Sequence, residues 1–115
     1  MDEAVLKRWK INLFQTTGGD SPIQSFIDEQ DENTRAKMAL SIRLLMNQGP
    51  FLKPPYIKKL QNNLYELRIS GKLPIRIFYT LHMEEYYLLH VSKKKTQKTP
   101  TKELKTALDR MRKII

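Results

Sequence analysis

The sequence predicts an α+β fold in which a mainly antiparallel β-sheet is packed by an N-terminal helical hairpin, with a helix at the C-terminus. Residues 64–92 contain three runs in which apolar and polar side chains alternate, as they do in neighbouring strands. Residues 21–48 and 99–115 instead carry apolar residues at helical spacing. With 115 residues and 40% apolar content, the chain is expected to form one domain, residues 1–115.

The N-terminal half is predicted to form one strand and two helices. Residues 5–13 alternate as a strand does. Ser21 and Pro22 then predict a helix start, because serine is a preferred N-cap and proline at the first helical position loses no needed donor. A second helix is predicted from Asp31 to Gln48, ended by the glycine and proline that follow.

The C-terminal half is predicted to form four strands and the last helix. A proline-rich connector over residues 51–56 leads into a short strand at residues 57–60, and the runs at residues 64–69, 75–80 and 86–92 follow. Thr99 and Pro100 are interpreted as the cap and first residue of the final helix. The predicted order is β-α-α-β-β-β-β-α.

The register of the strands places two arginines opposite each other. A slip of one residue would set the apolar side chains of one strand beside the polar side chains of the next, so the Ser70-Gly71-Lys72 turn fixes the pairing. Arg68 then faces Arg76. Like charges in this position destabilise a sheet by a few tenths to about 1 kcal/mol, which favours a functional reason for them.

The third run of the meander adds a histidine to the same sheet face. If Tyr87, Leu89 and Val91 form its apolar side, His90 falls opposite or diagonal to Arg76. A lysine-rich segment follows at once, with Lys93, Lys94, Lys95 and Lys98. The non-core face of the sheet is therefore predicted to be a flat or concave cationic site with a titratable imidazole, suited to phosphate.

The charge distribution points to a polyanionic partner. Residues 1–50 hold six Lys/Arg and seven Asp/Glu, whereas residues 51–115 hold fifteen against five, within a net charge of +9. We interpret the C-terminal half as the surface that meets nucleic acid, with Lys58 and Lys59 at its border. Lys72 and Lys113 are interpreted as solvated surface groups.

Composition excludes several classes of protein. Without cysteine there is no disulfide or thiolate metal site, and His82 and His90 make a poor zinc set, so neither a metal nor a cofactor is expected. No apolar run could cross a bilayer, and the acidic start lacks the features of a signal peptide. We expect a cytoplasmic protein without membrane contact.

Three stretches resemble a known family. The LYELR run from Leu64 to Arg68, the RIFY run from Arg76 to Tyr79, and the strand end at His90 leading into KKKTQKTP are similar to the RelE/HigB superfamily, in its phage-derived toxin-like branch. The resemblance covers nearly the full chain. It implies the toxin of a type II toxin–antitoxin pair, acting as a metal-independent endoribonuclease that cuts mRNA in the ribosomal A site. The implied partners are a helix-turn-helix antitoxin, the ribosome and mRNA, and operator DNA through the antitoxin complex.

The resemblance also implies roles for individual residues. By position, Arg68 matches the family's arginine after the LYEL-type strand, Arg76 its arginine in the following strand, and His90 with Lys93 to Lys95 its C-terminal strand-end cluster. We take Arg68, Arg76 and His90 as the catalytic candidates. The candidates for binding RNA phosphates are Lys58, Lys59, Lys93, Lys94, Lys95 and Lys98. Arginine suits the phosphoryl group because its planar fork grips two oxygens and keeps its proton. His90 is the best candidate for an acid or base.

Some alternatives stay open at this point. Relatives that place a catalytic tyrosine or another histidine near the C-terminus differ from this chain, which has no tyrosine after Tyr87 and no histidine after His90. Glu66 is interpreted as an ion-pair partner that orients Arg68, rather than as the base. A non-catalytic nucleic-acid-binding or co-repressor subunit, and a subunit that only binds an acidic protein, are the other functions considered.

Overall fold

A computed structural model describes residues 8–115 and confirms the predicted order of elements. Residues 5–7 of the predicted first strand lie outside the described residues. A short 3₁₀ helix, Gly49–Phe51, joins the second helix to the connector. The strands and helices are β1 Lys10–Leu13, α1 Pro22–Asp28, α2 Glu32–Gln48, β2 Ile57–Gln61, β3 Leu64–Ile69, β4 Ile75–His82, β5 Glu85–Lys93 and α3 Thr101–Ile114.

The five strands form one sheet in the order β1-β5-β4-β3-β2. Strand β1 runs parallel to β5, and the other neighbours are antiparallel. The predicted register of β3 and β4 is confirmed, because Arg68 lies opposite Arg76. The predicted α+β class with a mainly antiparallel sheet is therefore also confirmed.

Helices cover both faces of the sheet. Helices α1 and α2 pack on one face over the larger core, formed by Ile23, Met38, Leu45, Leu52, Leu67, Ile69, Ile75, Ile77, Tyr79, Tyr86, Leu88 and Val91. Helix α3 packs on the other face over a smaller core of Leu64, Phe78, Leu89 and Ala107. The prediction that the second face is an open cationic surface is therefore wrong over the area that α3 covers.

A β-bulge in β5 corrects a second prediction. His90 pairs with Phe78 but Leu88 pairs with Tyr79, so Leu89 is an extra residue between two pairs. Such an insertion reverses the alternation of the residues before it. As a result Leu89 packs under α3, whereas Leu88 joins the larger core. The predicted apolar side of Tyr87, Leu89 and Val91 is therefore wrong.

Most helix ends follow the predicted capping. Ser21 accepts a hydrogen bond from the Gln24 amide, and Asp31 from the Thr34 amide. Helix α3 begins one residue later than predicted, since Pro100 keeps an extended backbone (φ −61°, ψ 142°) and serves as the N-cap. No helix within residues 8–115 is long and apolar enough to cross a membrane.

Candidate nucleic-acid interface

A cationic cleft lies where the β3–β4 loop meets the segment that follows β5. We call it the arginine cleft; its volume is about 340 Å³. It brings together three of the predicted site residues, and it is lined by Pro55, Arg68, Ile69, Ser70, Gly71, Pro74, Ile75, Arg76 and Lys94. Positive side chains in a concave site attract anions, so this cleft is the concave part of the predicted site that is suited to phosphate.

A buried carboxylate separates the two arginines. Glu66, only 1% exposed, lies 3.5 Å from the Arg68 Nε through one oxygen and 3.5 Å from the Arg76 Nε through the other. The interpretation of Glu66 as an ion-pair partner of Arg68 is confirmed, and the structure adds Arg76 as its second partner. One negative charge therefore offsets part of the repulsion between the facing arginines.

Arg76 is buried and holds the lysine-rich segment against the sheet. Its side chain is 2% exposed, and its Nη2 donates to the carbonyl oxygens of Thr96 at 2.8 Å and Gln97 at 3.0 Å. The Lys94 amide donates to the Pro74 carbonyl in the same region. Arg76 thus positions the segment that carries Lys94. Arg68, with 36% of its side chain exposed, is the arginine that solvent and phosphate can reach.

His90 lies on the same sheet face, but α3 covers it. Its register diagonal to Arg76 is confirmed, because Ser92 pairs with Arg76 and His90 with Phe78. The His90 Nε2 lies 3.0 Å from the Glu103 carboxylate, and its Nδ1 lies 3.4 Å from Arg110 Nη1. An arginine only donates, so Nδ1 must accept and Nε2 must carry the proton that Glu103 receives as a hydrogen bond.

The same surroundings keep His90 neutral at pH 7. Burial lowers the pKa of His90 from its ordinary 6.5, and the nearby Arg110 acts in the same direction, while the bond and charge of Glu103 oppose the shift. Both ring nitrogens therefore have partners in α3. For His90 to exchange a proton with RNA, one of these two contacts must break.

The predicted lysines are spread over different surfaces. Lys94 alone among them lines the arginine cleft. Lys58 lies opposite Glu66 on the edge strand β2 and so shares the sheet face of Arg68, whereas Lys59 lies opposite Tyr65 and points to the other face. Lys93 lines a separate cleft beside α2. Lys95 and Lys98 are exposed in the segment after β5.

Sequence reasoning missed the two α3 residues that surround His90. Glu103 receives the His90 hydrogen bond, while Arg110 also donates to the Leu89 carbonyl at 2.9 Å and lies over the Phe14 ring at 5.2 Å. The signal was their spacing of seven residues, which places both on one side of a helix beside the buried Ala107. Polar residues in that position need partners on the sheet.

The match to a known family decides the broader identity of the chain. Residues 25–112, about three quarters of the chain, match the family described as Phage derived protein Gp49-like (DUF891). The chain belongs to this family. Gp49-like proteins are RelE/HigB-like and are commonly the toxin of a toxin–antitoxin system, so membership implies an antitoxin partner. Among curated proteins, none matches this chain.

All of the predicted site residues of this Gp49-like protein lie inside the matched range, as do Glu66, Glu103 and Arg110. Strand β1 precedes that range. Within residues 8–115, no three or more His, Asp or Glu side chains stand together in a way that could hold a metal ion. The charged groups of the site are thus supplied by arginine, lysine, one buried carboxylate and the Glu103–His90 pair.

Proposed function

We propose that this protein is a toxin that inhibits translation as a ribosome-dependent, metal-independent mRNA endoribonuclease. The observation that carries the proposal is the arginine cleft, where Arg68 and Lys94 meet at an open surface held in place by Arg76. Membership of a Gp49-like family supports the toxin role. A helix-turn-helix antitoxin would neutralise the protein, and the complex would bind operator DNA.

The chemistry requires positive charge at the scissile phosphate. In metal-free RNA cleavage the ribose 2′-OH attacks the adjacent phosphorus, the bond to the 5′-oxygen breaks, and negative charge builds on the phosphoryl oxygens. Arg68 is assigned to those oxygens, because its guanidinium is accessible and keeps its proton. Lys94 adds charge at the same cleft, and Arg76 positions the segment that carries Lys94.

Proton transfer is assigned to His90 only after a rearrangement of α3. When RNA on the ribosome displaces Glu103 or Arg110, one ring nitrogen becomes free to take or give a proton. A lysine among Lys93, Lys94 and Lys95, or alignment of the substrate without side-chain proton transfer, is the alternative. The His90→Gln variant distinguishes proton transfer by His90 from these alternatives, since it lowers the cleavage rate by about a hundredfold or more only if the imidazole carries the proton.

Single-turnover cleavage of mRNA on programmed ribosomes tests the central assignment. Arg68→Ala should lower the rate by about a hundredfold, the loss typical of one transition-state contact. Its stability should change by less than about 1 kcal/mol, because the side chain is partly exposed and makes a single ion-pair contact. Arg43→Ala is the control, an exposed arginine on α2, on the opposite side of the sheet. Equal rates for the two variants would show that the site is elsewhere.

A second candidate function is a non-catalytic RNA-binding or co-repressor subunit. The observation that favours it is the lining of the arginine cleft, which contains neither histidine nor an accessible carboxylate. In that case wild type would bind ribosomes or RNA through Arg68 without cutting mRNA. The His90→Gln variant would then leave binding unchanged, and growth arrest on expression would be absent.

A further inference from the structure

A second cationic cleft lies on the other side of the β3–β4 loop. This lysine cleft, of about 290 Å³, is formed between the start of α2, the loop and the end of β5. Three elements each supply one lysine to it: Lys37 from α2, Lys72 from the loop and Lys93 from β5. The Lys37 side chain extends to the loop, since a β-carbon placed on Gly71 would lie 3.8 Å from the Lys37 Nζ.

The protein offsets only part of the positive charge of the lysine cleft. Within residues 8–115, none of its three lysines forms an ion pair with a carboxylate. Asp31 also lines the cleft; it accepts the Thr34 amide at 2.7 Å as the cap of α2, and its negative charge interacts with that of Lys37. Three cations face this one carboxylate, so the cleft keeps a net positive charge that attracts anions.

The two clefts adjoin each other at the β3–β4 loop. Both are lined by Ile69, Ser70, Gly71 and Ile75. Lys93, the last residue of β5, lines the lysine cleft, and Lys94, which follows it, lines the arginine cleft. A flexible polyanion that crosses the loop can therefore place one phosphate in each cleft.

We propose that the lysine cleft is a second phosphate subsite for single-stranded RNA, so that the RNA backbone crosses the β3–β4 loop between Arg68 on one side and Lys37, Lys72 and Lys93 on the other. The inference rests on the proposed RNA-binding function and extends it to two residues, Lys37 and Lys72, outside the predicted site. Gly71 has no side chain at the crossing point, which lets a backbone approach closely.

The lining of the lysine cleft favours RNA over an acidic protein segment. Its wall on α2 presents polar side chains, Asn33 and Thr34 with Gln30 just before the helix, which can donate to phosphate and sugar oxygens. A docked amphipathic helix would instead need an apolar groove for its anchor residues. Among the apolar residues of the lining, Ile69 and Ile75 are buried in the core and Leu73 is 46% exposed on the loop; a single exposed leucine does not form such a groove.

The salt dependence of RNA affinity tests the subsite. The probe is a short, end-labelled 2′-O-methyl oligouridylate, which cannot be cleaved through a 2′-OH, and binding is followed by fluorescence anisotropy. Each phosphate contact contributes about 0.7 to the slope of log K against log salt. Because the lysine cleft is proposed to hold one phosphate, the combined Lys37→Ala, Lys72→Ala, Lys93→Ala variant should lose about 0.7 from the slope. The control combines Lys102→Ala, Lys105→Ala and Lys113→Ala, which remove equal charge from α3.

A second pair of variants tests the crossing point itself. Gly71→Glu adds a carboxylate between the clefts, and Gly71→Gln adds nearly the same volume without charge. A β-carbon at Gly71 would meet only the Lys37 ammonium within 4 Å, so both variants should fold. Gly71→Glu should weaken RNA binding at least tenfold relative to Gly71→Gln. Equal affinities for the two would overturn the proposed path.

The outcomes separate this inference from the proposed function. If Arg68→Ala weakens RNA binding while the lysine-cleft variant matches its α3 control, the subsite is wrong and the function stands. If wild type has no salt-dependent affinity for the probe, the subsite is wrong, and cleavage on programmed ribosomes still decides the proposed function. If the lysine-cleft variant keeps RNA affinity but loses affinity for polyaspartate, the cleft binds an acidic protein, and the RNA subsite is overturned.

Discussion

Replacing Arg76 with methionine removes a buried cation that connects three parts of the site. Its guanidinium lies beside the Glu66 carboxylate and donates to the carbonyl oxygens of Thr96 and Gln97. Methionine fills a similar volume without any donor. The variant therefore leaves the two carbonyls without their donor and Glu66 with only the more exposed Arg68 beside it.

The expected loss of stability follows from these contacts. Hydrogen bonds from a charged donor contribute about 1.5–3 kcal/mol each, and removing one partner of a buried ion pair costs about 3–5 kcal/mol. The contributions overlap because they share one guanidinium, so we expect Arg76→Met to lower the free energy of unfolding by about 3–5 kcal/mol. That is a large share of the roughly 5–15 kcal/mol that stabilises a typical domain.

Urea denaturation measures this loss, with Arg112→Met as the control. Arg112 pairs with Asp109 on the surface of α3, so its replacement should cost less than about 0.5 kcal/mol. Adding Glu66→Gln to Arg76→Met should recover at least about 1 kcal/mol, because the buried carboxylate is then neutral. An Arg76→Met protein within about 1 kcal/mol of wild type would refute the structural role of Arg76.

Three further outcomes are expected. Gly49→Ala should destabilise the protein by about 2 kcal/mol or more in urea, since the residue has φ +52° and its β-carbon would collide with the Trp9 ring. Burial lowers the His90 pKa, so the contribution of the neutral imidazole to stability is present above pH 6.5 and is lost as the pH falls below it. The loss of stability on acidification should therefore be smaller in His90→Gln. Burial raises the pKa of Tyr86 to about 12 and that of Tyr79 further, so stability should fall above pH 10, less steeply in Tyr79→Phe.

The elements and one strand pair could be predicted because their signals are local. A short turn and clear alternation on both sides of it determine the β3–β4 register, so the pairing of Arg68 with Arg76 could be read from the sequence. The bulge at Leu89 could not be predicted. Apolar residues occupy both faces of this strand, so an extra residue does not interrupt a visible alternation in the sequence. The bulge adds Leu89 to Leu64 and Phe78 on the face that α3 covers.

The candidate site was only partly predictable, for a different reason. The alternation of side chains along a strand gives the face on which Arg76 and His90 lie, but the burial of each side chain depends on which segment packs over it. The segment after β5 has no periodic pattern that would place its carbonyls over Arg76. The partners of His90 in α3 likewise depend on how the helix docks.

The facing arginines do not by themselves indicate phosphate binding. Repulsion across a strand pair costs up to about 1 kcal/mol, and the Glu66 carboxylate with two carbonyl acceptors is enough to offset it. The feature that indicates function is instead the difference in exposure between the two arginines, since Arg76 is buried whereas Arg68 opens into a cleft with Lys94. Two lysine substitutions test this difference. Arg76→Lys should mainly lower the free energy of unfolding, because an ammonium cannot reproduce the planar fork between two carbonyls. Arg68→Lys should mainly lower the rate of mRNA cleavage and leave stability unchanged.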